Sequence, residues 1–466
     1  MLGRESLVED ESSPHGYLAQ EDWCKDETGR RETDRRDEAT GERQDGPGGV
    51  GAVTSVSTAE QSTVFVHRIR VRGFRSLGEC DVRCGPLTVL VGFNASGKSN
   101  VLDALRFVSE ALSASPEQAV DARGGLDSLL HRSGGAVVDA FRIDLDFALR
   151  AGGMDGETFP SSYSMEIGRD PAGISALVIR QEECAVQGTE KLLTFRMEQG
   201  EQIGPRLRLP AMAAQNKIFL AVEQALTSMR FYDLDTGTLR GLDESVPPRH
   251  PQLGSAGEHL GQVLGALATE DPNGKERLDG YLAALVPNAM SIDQRREGRY
   301  STVEARFRTG ADSWSSPDAE GGAEGELLFL RESLSEGTLR AAGVLAALLQ
   351  RSAHDGRIPV IGIEEPETAL HPANVGALYE ALDDAARQTQ VIVTSQSSAL
   401  LDSEYADLDH LRVVENVNGA TVVGEVSAAG REIVERGLMS ISQLHASGQM
   451  RPAPPTADHP RPRSRA

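Results

Sequence analysis

The chain has 466 residues, of which 25% are charged and 39% are apolar, and its net charge at neutral pH is -23. This length is enough for one large domain or two smaller ones with a hydrophobic core. No apolar run approaches the roughly 18 residues that a membrane-spanning helix needs, and the polar N-terminus is no secretory signal, so we expect a cytoplasmic protein without membrane contact. Four scattered cysteines are too few for a disulfide framework or a zinc site and are expected to be free thiols: Cys24, Cys80, Cys84 and Cys184.

The two ends of the chain differ in composition from the rest. Residues 1–60 hold 15 acidic and 7 basic residues with almost no apolar periodicity. Such a segment cannot bury enough surface to offset its ordering entropy, which predicts a disordered acidic tail. Residues 447–466 contain five prolines and predict a second disordered tail. The acidic body between them disfavours broad, non-specific binding of nucleic acid, although a local basic strip could still hold DNA.

The folded part begins with an alternating strand, VFVHRIRVRGF, whose apolar face carries Ile69 and Val71. The opposite face carries the arginines Arg68, Arg70 and Arg72. The apolar run PLTVLVG, residues 86–92, predicts a strand that is buried on both faces. A helix follows, and its apolar stripe is formed by Val101, Leu102, Leu105 and Val108.

The middle of the chain changes from strands to helices. Short strands are predicted at 141–149, 163–167 and 192–197. Three helices follow, and the second is expected to open with a capping box formed by Ser255 and Glu258. The apolar positions of these helices are Phe219, Val222, Leu226 and Met229 in the first, Leu260, Val263, Leu264 and Leu267 in the second, and Leu278, Tyr281, Leu282 and Leu285 in the third.

The last third alternates between helices and strands after a loop at 309–326. A helix starts at Ser335, the strand IPVIGIEE follows, and a helix over 375–386 leads to the strand QVIVTS. Strands that alternate with helices imply a parallel sheet.

Residues 92–99, GFNASGKS, form a complete Walker A motif between the buried strand and the first helix. Its glycines let backbone N–H groups turn toward phosphates, Lys98 reaches the β- and γ-phosphates, and the Ser99 hydroxyl binds Mg²⁺. The alternative, an ordinary glycine-rich turn, is disfavoured by the strand–loop–helix context. The candidate ATP-binding residues are Gly92, Asn94, Ala95, Ser96, Gly97, Lys98, Ser99 and Asn100.

The strand VIGIEE ends in two carboxylates and has the form of a Walker B motif. Glu364 is expected to hold Mg²⁺ through water, and Glu365 is placed to orient or deprotonate the attacking water. Standing alone, this pattern would also fit a strand that ends in a solvated acidic turn. The sequence LSEGT at 334–338 starts a helix, which Ser335 can cap, while Gly337 lets the backbone approach an anion. A plain helix cap is the alternative for this segment.

Walker A, LSEGT and IEEPE, in this order and spacing, resemble the head of an ATP-binding-cassette (ABC) protein. The resemblance covers roughly residues 64–430 and is to the branch that includes RecF, the SMC proteins and the short bacterial AAA family ATPases. It implies that LSEGT, through Ser335 and Gly337, is a signature motif that touches the nucleotide of a second subunit in an ATP-dependent homodimer. It also implies that Glu365 is the catalytic glutamate, that residues 368–370 are a D-loop at the dimer interface, and that Arg75 approaches the nucleotide.

The chain departs from this family in one place. A histidine is expected after VIVTS, whereas this sequence has Gln396, which can donate a hydrogen bond to the γ-phosphate but carries no charge. We therefore expect binding of ATP and Mg²⁺ with slow hydrolysis. The glutamine that couples the two lobes in this family is hard to place. Gln181 is a candidate, with a core or surface glutamine as the alternative.

The expected fold is an α/β P-loop NTPase, an ABC/RecF-like head with a parallel core sheet, an antiparallel β subdomain and a helical insert. Sustained heptads of a long coiled coil are absent. The expected division is a tail at 1–60, the Walker A half at 61–136, the β subdomain and insert at 137–325, the second half at 326–446 and a tail at 447–466.

Three functions compete at this stage. The first is an ATP-gated dimer that acts on DNA or on a nuclease or effector partner, in repair or phage defence. The basic strip on the first strand and, weakly, Arg295, Arg296 and Arg299 favour DNA, with a solvated strand face as the alternative. The second is a transporter subunit, which the long insert disfavours. The third is a nucleotide switch with negligible turnover. A nuclease-like domain after residue 446 is absent, so we do not expect the chain to cut nucleic acid by itself.

Overall fold

The computed structural model describes residues 65–150, 158–170, 173, 177–188, 192–197, 206–244, 251–309 and 325–454. The chain divides into two units, Met1–Thr58 and Ala59–Ala466, and all described residues belong to the second. The predicted tail at 1–60 and Cys24 lie outside the described residues, as do most of the predicted loop at 309–326 and the segment 455–466.

The described part of the chain contains strands in three extended sheets and one small hairpin. The strands are β1 (Val66–Phe74), β2 (Leu77–Arg83), β3 (Leu87–Val91), β4 (Arg132–Ser133), β5 (Ala136–Val137), β6 (Ala140–Arg150), β7 (Thr158–Gly168), β8 (Val178–Gln187), β9 (Leu192–Met197), β10 (Arg230–Tyr232), β11 (Asp243–Glu244), β12 (Ala289–Glu297), β13 (Tyr300–Thr309), β14 (Gly325–Leu330), β15 (Val360–Glu364), β16 (Gln390–Ser395), β17 (Leu411–Val417) and β18 (Ala420–Gly424).

Helices cover the sheets and connect their strands. They are α1 (Lys98–Ser113), α2 (Pro116–Asp121), α3 (Leu126–Leu129), α4 (Leu209–Ala213), α5 (Lys217–Thr227), α6 (Thr236–Leu239), α7 (Leu260–Glu270), α8 (Pro272–Leu285), α9 (Glu336–Leu349), α10 (Arg351–His354), α11 (Val375–Ala386), α12 (Ala428–Glu435) and α13 (Ile441–Ala446).

The core sheet has the order β10-β15-β16-β3-β17-β18 and is parallel except for its last strand, β18. Leu90 and Ile392 point to the face covered by α1, whereas Val89 and Val393 point to the face covered by α9 and α11. Strands that are buried on both faces need continuous apolar sequence, which is why PLTVLVG and VIVTS lack alternation. The predicted parallel core sheet is confirmed.

A second, antiparallel sheet has the order β2-β1-β6-β7-β8-β9 and forms the predicted β subdomain. In β1 the apolar face, with Ile69 and Val71, is fully buried, as the alternation predicts. The arginines of the opposite face all pair with carboxylates, and the pairs are Arg68–Asp81 at 2.5 Å, Arg70–Asp146 at 2.7 Å and Arg72–Glu79 at 3.6 Å.

The region from α4 to α8 is mainly helical, which confirms the predicted helical insert. One part differs from the prediction, because β10 lies within this stretch and pairs in parallel with β15 of the core sheet. The helices of this stretch therefore pack on two different parts of the fold. Helix α5 packs on α1, whereas α7 and α8 pack on the third sheet, formed by β11, β12, β13 and β14.

The predicted capping box of α7 is wrong. His259, in a left-handed conformation with φ of 68°, is the N-cap residue, and its side chain makes no capping hydrogen bond. Glu258 instead accepts a hydrogen bond from the backbone N–H of Ala256 at 3.0 Å. The carboxylate of Glu258 therefore stabilises the turn before α7, whereas the predicted capping box would have placed it in the first turn of the helix.

The C-terminal tail begins later than the sequence predicts, because residues 447–454 still pack on the fold. The backbone N–H of Ser427 donates to the carbonyl of Arg451 at 3.0 Å, and that of Ala453 donates to the carbonyl of Glu425 at 2.7 Å. Met450 is buried among the core residues. Backbone pairing and one apolar anchor therefore hold a segment that is rich in proline and polar residues.

Cys80, Cys84 and Cys184 are free, as predicted. Burial is the main cause that raises the pKa of each thiol to about 12, so these side chains stay protonated and unreactive. Among the described helices, none combines the length and the apolar character that crossing a bilayer requires.

Candidate functional site

Three neighbouring strands of the core sheet end at one edge and bring the predicted motifs together. Val91 of β3 lies beside Ser395 of β16, and Thr394 of β16 lies beside Glu364 of β15. The backbone N–H of Gly92 donates to the carbonyl of Ser395 at 3.3 Å. The carboxyl ends of parallel strands are where ligands bind in open α/β sheets.

The Walker A loop turns tightly between β3 and α1. Ala95 and Gly97 have positive φ angles of 60° and 104°. A Cβ atom at Gly97 would lie 2.0 Å from the Thr421 hydroxyl, so only glycine fits there. The turn leaves the first backbone N–H groups of α1 without partners inside the helix, as an anion site requires.

Lys98 lies across this loop. Its ammonium donates to the carbonyl oxygens of Gly92 at 2.8 Å and Phe93 at 3.0 Å. Burial lowers the pKa of Lys98, while the charges of Glu365 and Glu367 oppose that effect. The Lys98 ammonium is therefore held at the loop by two carbonyl oxygens and lies near two carboxylates. A bound phosphate would compete with these groups for the ammonium.

Ser99 and Glu364 meet at the start of α1. Glu364 accepts a hydrogen bond from the Ser99 hydroxyl, and burial raises the pKa of its carboxyl. Arg106 lies 3.8 Å from the same carboxyl. A hydroxyl and a carboxylate oxygen side by side form the donor set that Mg²⁺ prefers, so these residues fit that ion.

Glu365 follows β15 with a positive φ of 42°. The side-chain amide of Gln396 donates to its Oε2 atom at 2.9 Å. Gln396 is exposed, yet it contacts the candidate catalytic carboxylate. The predicted pair of Glu365 and residue 396 is thus brought together across two strands.

The LSEGT segment begins α9, and Ser335 caps this helix as predicted, because its hydroxyl accepts from the backbone N–H of Thr338 at 3.1 Å. The structure adds a steric reason for glycine at position 337. A Cβ atom there would lie 2.6 Å from the carbonyl oxygen of Ala369 in the predicted D-loop. The start of α9 therefore packs on residues 368–370 of its own chain.

Two predicted residues have other partners in this structure. Arg75 lies 3.0 Å from Asp103 of α1, so its guanidinium faces a carboxylate of the helix. Gln181 lies in β8 of the antiparallel sheet, where it accepts a hydrogen bond from Arg142 at 2.5 Å. This placement supports the alternative of a structural glutamine. Asn100, beside the Walker A loop, donates to the Ser76 hydroxyl at 2.6 Å.

Sequence reasoning missed Arg340, a buried arginine of α9. Its guanidinium donates to the backbone carbonyls of Leu234 at 2.5 Å, Thr368 at 3.2 Å and Glu365 at 3.4 Å. One side chain thus joins α9 to the predicted D-loop and to Glu365, the candidate catalytic residue. The sequence shows Arg340 at the end of LSEGTLR, but the three carbonyls come together only in the folded chain.

Three further residues near the site were missed. Asp233 follows β10, and its charge adds to the effects that raise the pKa of Glu364. Glu367 is buried beside Ser395. His445 of α13 is buried and stacks on Phe93 of the Walker A loop, with ring centroids 5.8 Å apart. No local pattern marks His445, because it lies 352 positions after Phe93 in the sequence.

One known protein family matches the segments that carry these motifs. Residues 87–163 and 280–402 match the family described as "AAA domain, putative AbiEii toxin, Type IV TA system". No curated protein matches this chain at a significant level.

The solved structures with similar folds include SMC heads. An SmcHead bound to the C-winged helix domain of ScpA is 15% identical, with a TM-score of 0.48, over 79% of this chain and 99% of that one. The SMC head domain from Thermotoga maritima is 15% identical, with a TM-score of 0.40, over 78% and 100%. An Smc head domain with an extended coiled coil, from Pyrococcus furiosus, is 12% identical, with a TM-score of 0.43, over 80% and 99%.

The first matched segment includes the strand and loop of Walker A, and the second includes LSEGT, the Walker B carboxylates and β16. These motifs lie on the parallel core sheet in the positions that a P-loop ATPase requires. Over these two segments the chain is therefore similar to the AAA family, and its motifs have the arrangement of a P-loop ATPase.

Proposed function

We propose that this chain binds and slowly hydrolyses ATP, dimerises around the nucleotide, and acts on DNA or on a nuclease or effector partner in repair or phage defence. The observation that carries the proposal is the meeting of Lys98, Glu364, Glu365 and Gln396 at one edge of the core sheet. This arrangement combines a cation for phosphates, a metal-binding carboxylate and a carboxylate for the attacking water.

Each side chain of the site would have its own role in nucleotide binding or hydrolysis. Lys98 would exchange the carbonyls of Gly92 and Phe93 for phosphate oxygens, which are stronger acceptors for an ammonium. Ser99 and Glu364 would hold Mg²⁺, which neutralises phosphate charge when bound. Glu365 would accept the proton of the attacking water, and Gln396 would hold that carboxylate in place.

Exposure of the signature segment supports the dimer. Ser335, Glu336 and residues 368–369 are exposed. The N-terminal end of α9 carries a partial positive charge, and Ser335 and Glu336 at this end are exposed. A second copy would supply the nucleotide that this end could contact.

Three observations favour an effector partner over DNA bound on the predicted basic strip. The three arginines of β1 all pair with carboxylates, which supports the solvated-face alternative. Arg295 likewise pairs with Glu297 and Glu304. The matched family is described as including a putative toxin of a toxin–antitoxin system, which favours a role in defence.

Substitution of Lys98 tests the proposal. Lys98→Ala is expected to weaken ATP binding at least about tenfold, because phosphate charge would lose its cation in a loop built for it. Titration of a fluorescent ATP analogue measures the affinity, and phosphate release measures turnover. As a control, Lys217→Ala, an exposed lysine of α5, should leave both unchanged. Unchanged ATP binding by Lys98→Ala would exclude the Walker A assignment.

A nucleotide switch with negligible turnover is the second candidate, and the neutral Gln396 beside Glu365 favours it. The same phosphate-release assay separates the two functions. Measurable turnover by the unmodified protein that is lost in Lys98→Ala supports an ATPase. Tight ATP binding without phosphate release supports the switch.

A further inference from the structure

The segment IEEPE carries a third carboxylate, Glu367, that has no part in the site described above. Its side chain is only 8% exposed, which is unusual for a glutamate without a cationic hydrogen-bond partner. It follows the last residue of the Walker B strand by three positions and contacts Ser395 at the end of β16. The charge of Glu367 acts on Lys98 together with that of Glu365.

The contacts of Glu367 go to the turn that follows β16. The Ser395 hydroxyl donates to its Oε1 atom at 2.5 Å, and the backbone N–H of Gln396 faces the same carboxyl. The Ser395 hydroxyl also accepts from the backbone N–H of Ser397 at 3.1 Å. One buried carboxyl therefore organises three consecutive residues of the turn.

This turn carries Gln396, whose amide reaches Glu365 at 2.9 Å. A hydrogen bond weakens steeply as its angle closes, so a small rotation of the turn would break that contact. Burial is the main cause that raises the pKa of Glu367, and the nearby Glu365 adds to it. Both effects disfavour the charged form of Glu367, and its carboxyl accepts the hydrogen bond from Ser395.

We propose that Glu367 is a positioning residue of the hydrolysis site, which holds the turn of residues 395–397 so that Gln396 meets Glu365. The proposal rests on the proposed ATPase function. Glu367 reaches the chemistry only through this turn and contacts no reacting atom. It acts by its shape and its hydrogen bonds, so an uncharged side chain of equal length should replace it.

Turnover and ATP affinity of two variants test this role. Glu367→Ala should lower kcat about tenfold and change the affinity for ATP less than about threefold, because phosphate contacts stay in place. Glu367→Gln should recover kcat to within about threefold of the unmodified protein, since its amide oxygen still accepts from Ser395. Equal losses in both variants would overturn the proposal, as would unchanged turnover in Glu367→Ala.

A double-mutant cycle tests whether Glu367 acts through Gln396. Residues that act through one contact give non-additive effects. Glu367→Ala combined with Gln396→Ala should therefore turn over at the rate of Gln396→Ala alone. Multiplicative losses would show that Glu367 acts by another route and would overturn the proposal.

Hydrogen–deuterium exchange of the nucleotide-free protein gives a readout that does not depend on hydrolysis. Exchange of the amides of residues 395–399 should rise about fivefold or more in Glu367→Ala and stay unchanged in Glu367→Gln. Unchanged exchange in Glu367→Ala would refute the positioning role even if ATP hydrolysis is confirmed. A protein that never hydrolyses ATP would refute the proposed function, while exchange would still decide the role of Glu367.

Asp279→Ala is the matched control. Asp279 is also a carboxyl whose pKa is raised mainly by burial, but it lies in α8 and pairs with Lys275 at 2.6 Å. Its loss should lower the temperature of unfolding without changing turnover per folded protein. A similar fall in kcat would show that loss of stability, not of positioning, explains Glu367→Ala.

Discussion

In the proposed function, Gln396 would decide how strongly the site can stabilise the charge that grows during phosphoryl transfer. Its neutral amide is the donor that meets Glu365, at 2.9 Å. A charged donor at this position would form a hydrogen bond roughly twice as strong. The residue therefore couples to the catalytic carboxylate but adds little electrostatic stabilisation of its own.

Gln396→His is expected to raise steady-state phosphate release about ten- to a hundredfold, because an imidazolium can stabilise developing negative charge by about 1–3 kcal/mol more than an amide. Affinity for ATP should change little. The rate should also fall as pH rises through the titration of the new imidazole. Equal or lower turnover in Gln396→His, with binding intact, would show that Gln396 does not limit the rate.

At the scale of elements, α9 is joined to the catalytic edge by Arg340. Its three hydrogen bonds end on carbonyls from two different loops, with Leu234 in the loop after β10 and Glu365 and Thr368 in the loop after β15. A movement of the signature helix would therefore be passed to Glu365 and to the predicted D-loop. The side chain links the surface expected to meet a second subunit with the site in its own chain.

Arg340→Ala should lower the free energy of unfolding by about 1–3 kcal/mol, because it leaves buried carbonyls without donors. It should also lower turnover about tenfold while ATP binding is kept. Denaturant unfolding and phosphate release measure the two effects. Arg331→Ala, at a more exposed arginine before the signature, is the control. The link to Glu365 would be disproved if stability fell and turnover per folded protein did not.

Helix α13 brings a pH-sensitive side chain to the Walker A loop. His445 is 5% exposed, and burial, with a smaller effect of the Lys98 charge, lowers its pKa below the ordinary value of 6.5. It borders a cavity of about 270 Å³ that is also lined by Phe93 and by the ion pair of Glu415 and Arg451. The folded state thus favours the neutral ring.

Because the unfolded chain binds a proton to His445 more readily, this residue should reduce stability as pH falls below about 6.5. The contribution is fully present at higher pH and is lost on acidification toward the lowered pKa. Urea unfolding at pH 7.5 and pH 5.5 should show a smaller loss for His445→Gln than for the unmodified protein. An identical pH dependence in the two proteins would show that His445 does not titrate on unfolding.

At the scale of the whole molecule, the proposed dimer would place the exposed signature and D-loop of one chain against the nucleotide of a second chain. Glu365→Gln keeps the shape of the catalytic residue but removes its basic oxygen. The variant should bind ATP, fail to hydrolyse it and accumulate as a dimer. Light scattering with and without ATP measures the mass. A monomer in saturating ATP would contradict the two-chain site.

The sequence alone determined the core sheet and its helices, because buried strands need continuous apolar runs and helices need a stripe of period 3.6. It also determined the Walker A loop and the two carboxylates of Walker B, since these groups are neighbours along the chain. It placed the antiparallel sheet and the helical stretch by the same changes of period. The capping box that the sequence predicted for Ser255 and Glu258 is wrong, because α7 begins after His259 instead.

Only the tertiary structure decided the contacts between residues that lie far apart in the chain. Strand β10 joined the core sheet, Arg340 collected three carbonyls, and His445 reached Phe93. The structure also paired the arginines of β1 and placed Gln181 away from the catalytic edge. Such contacts depend on the register and packing of whole elements. Local periodicity does not predict these contacts, because it indicates which face of an element is buried but not what lies against that face.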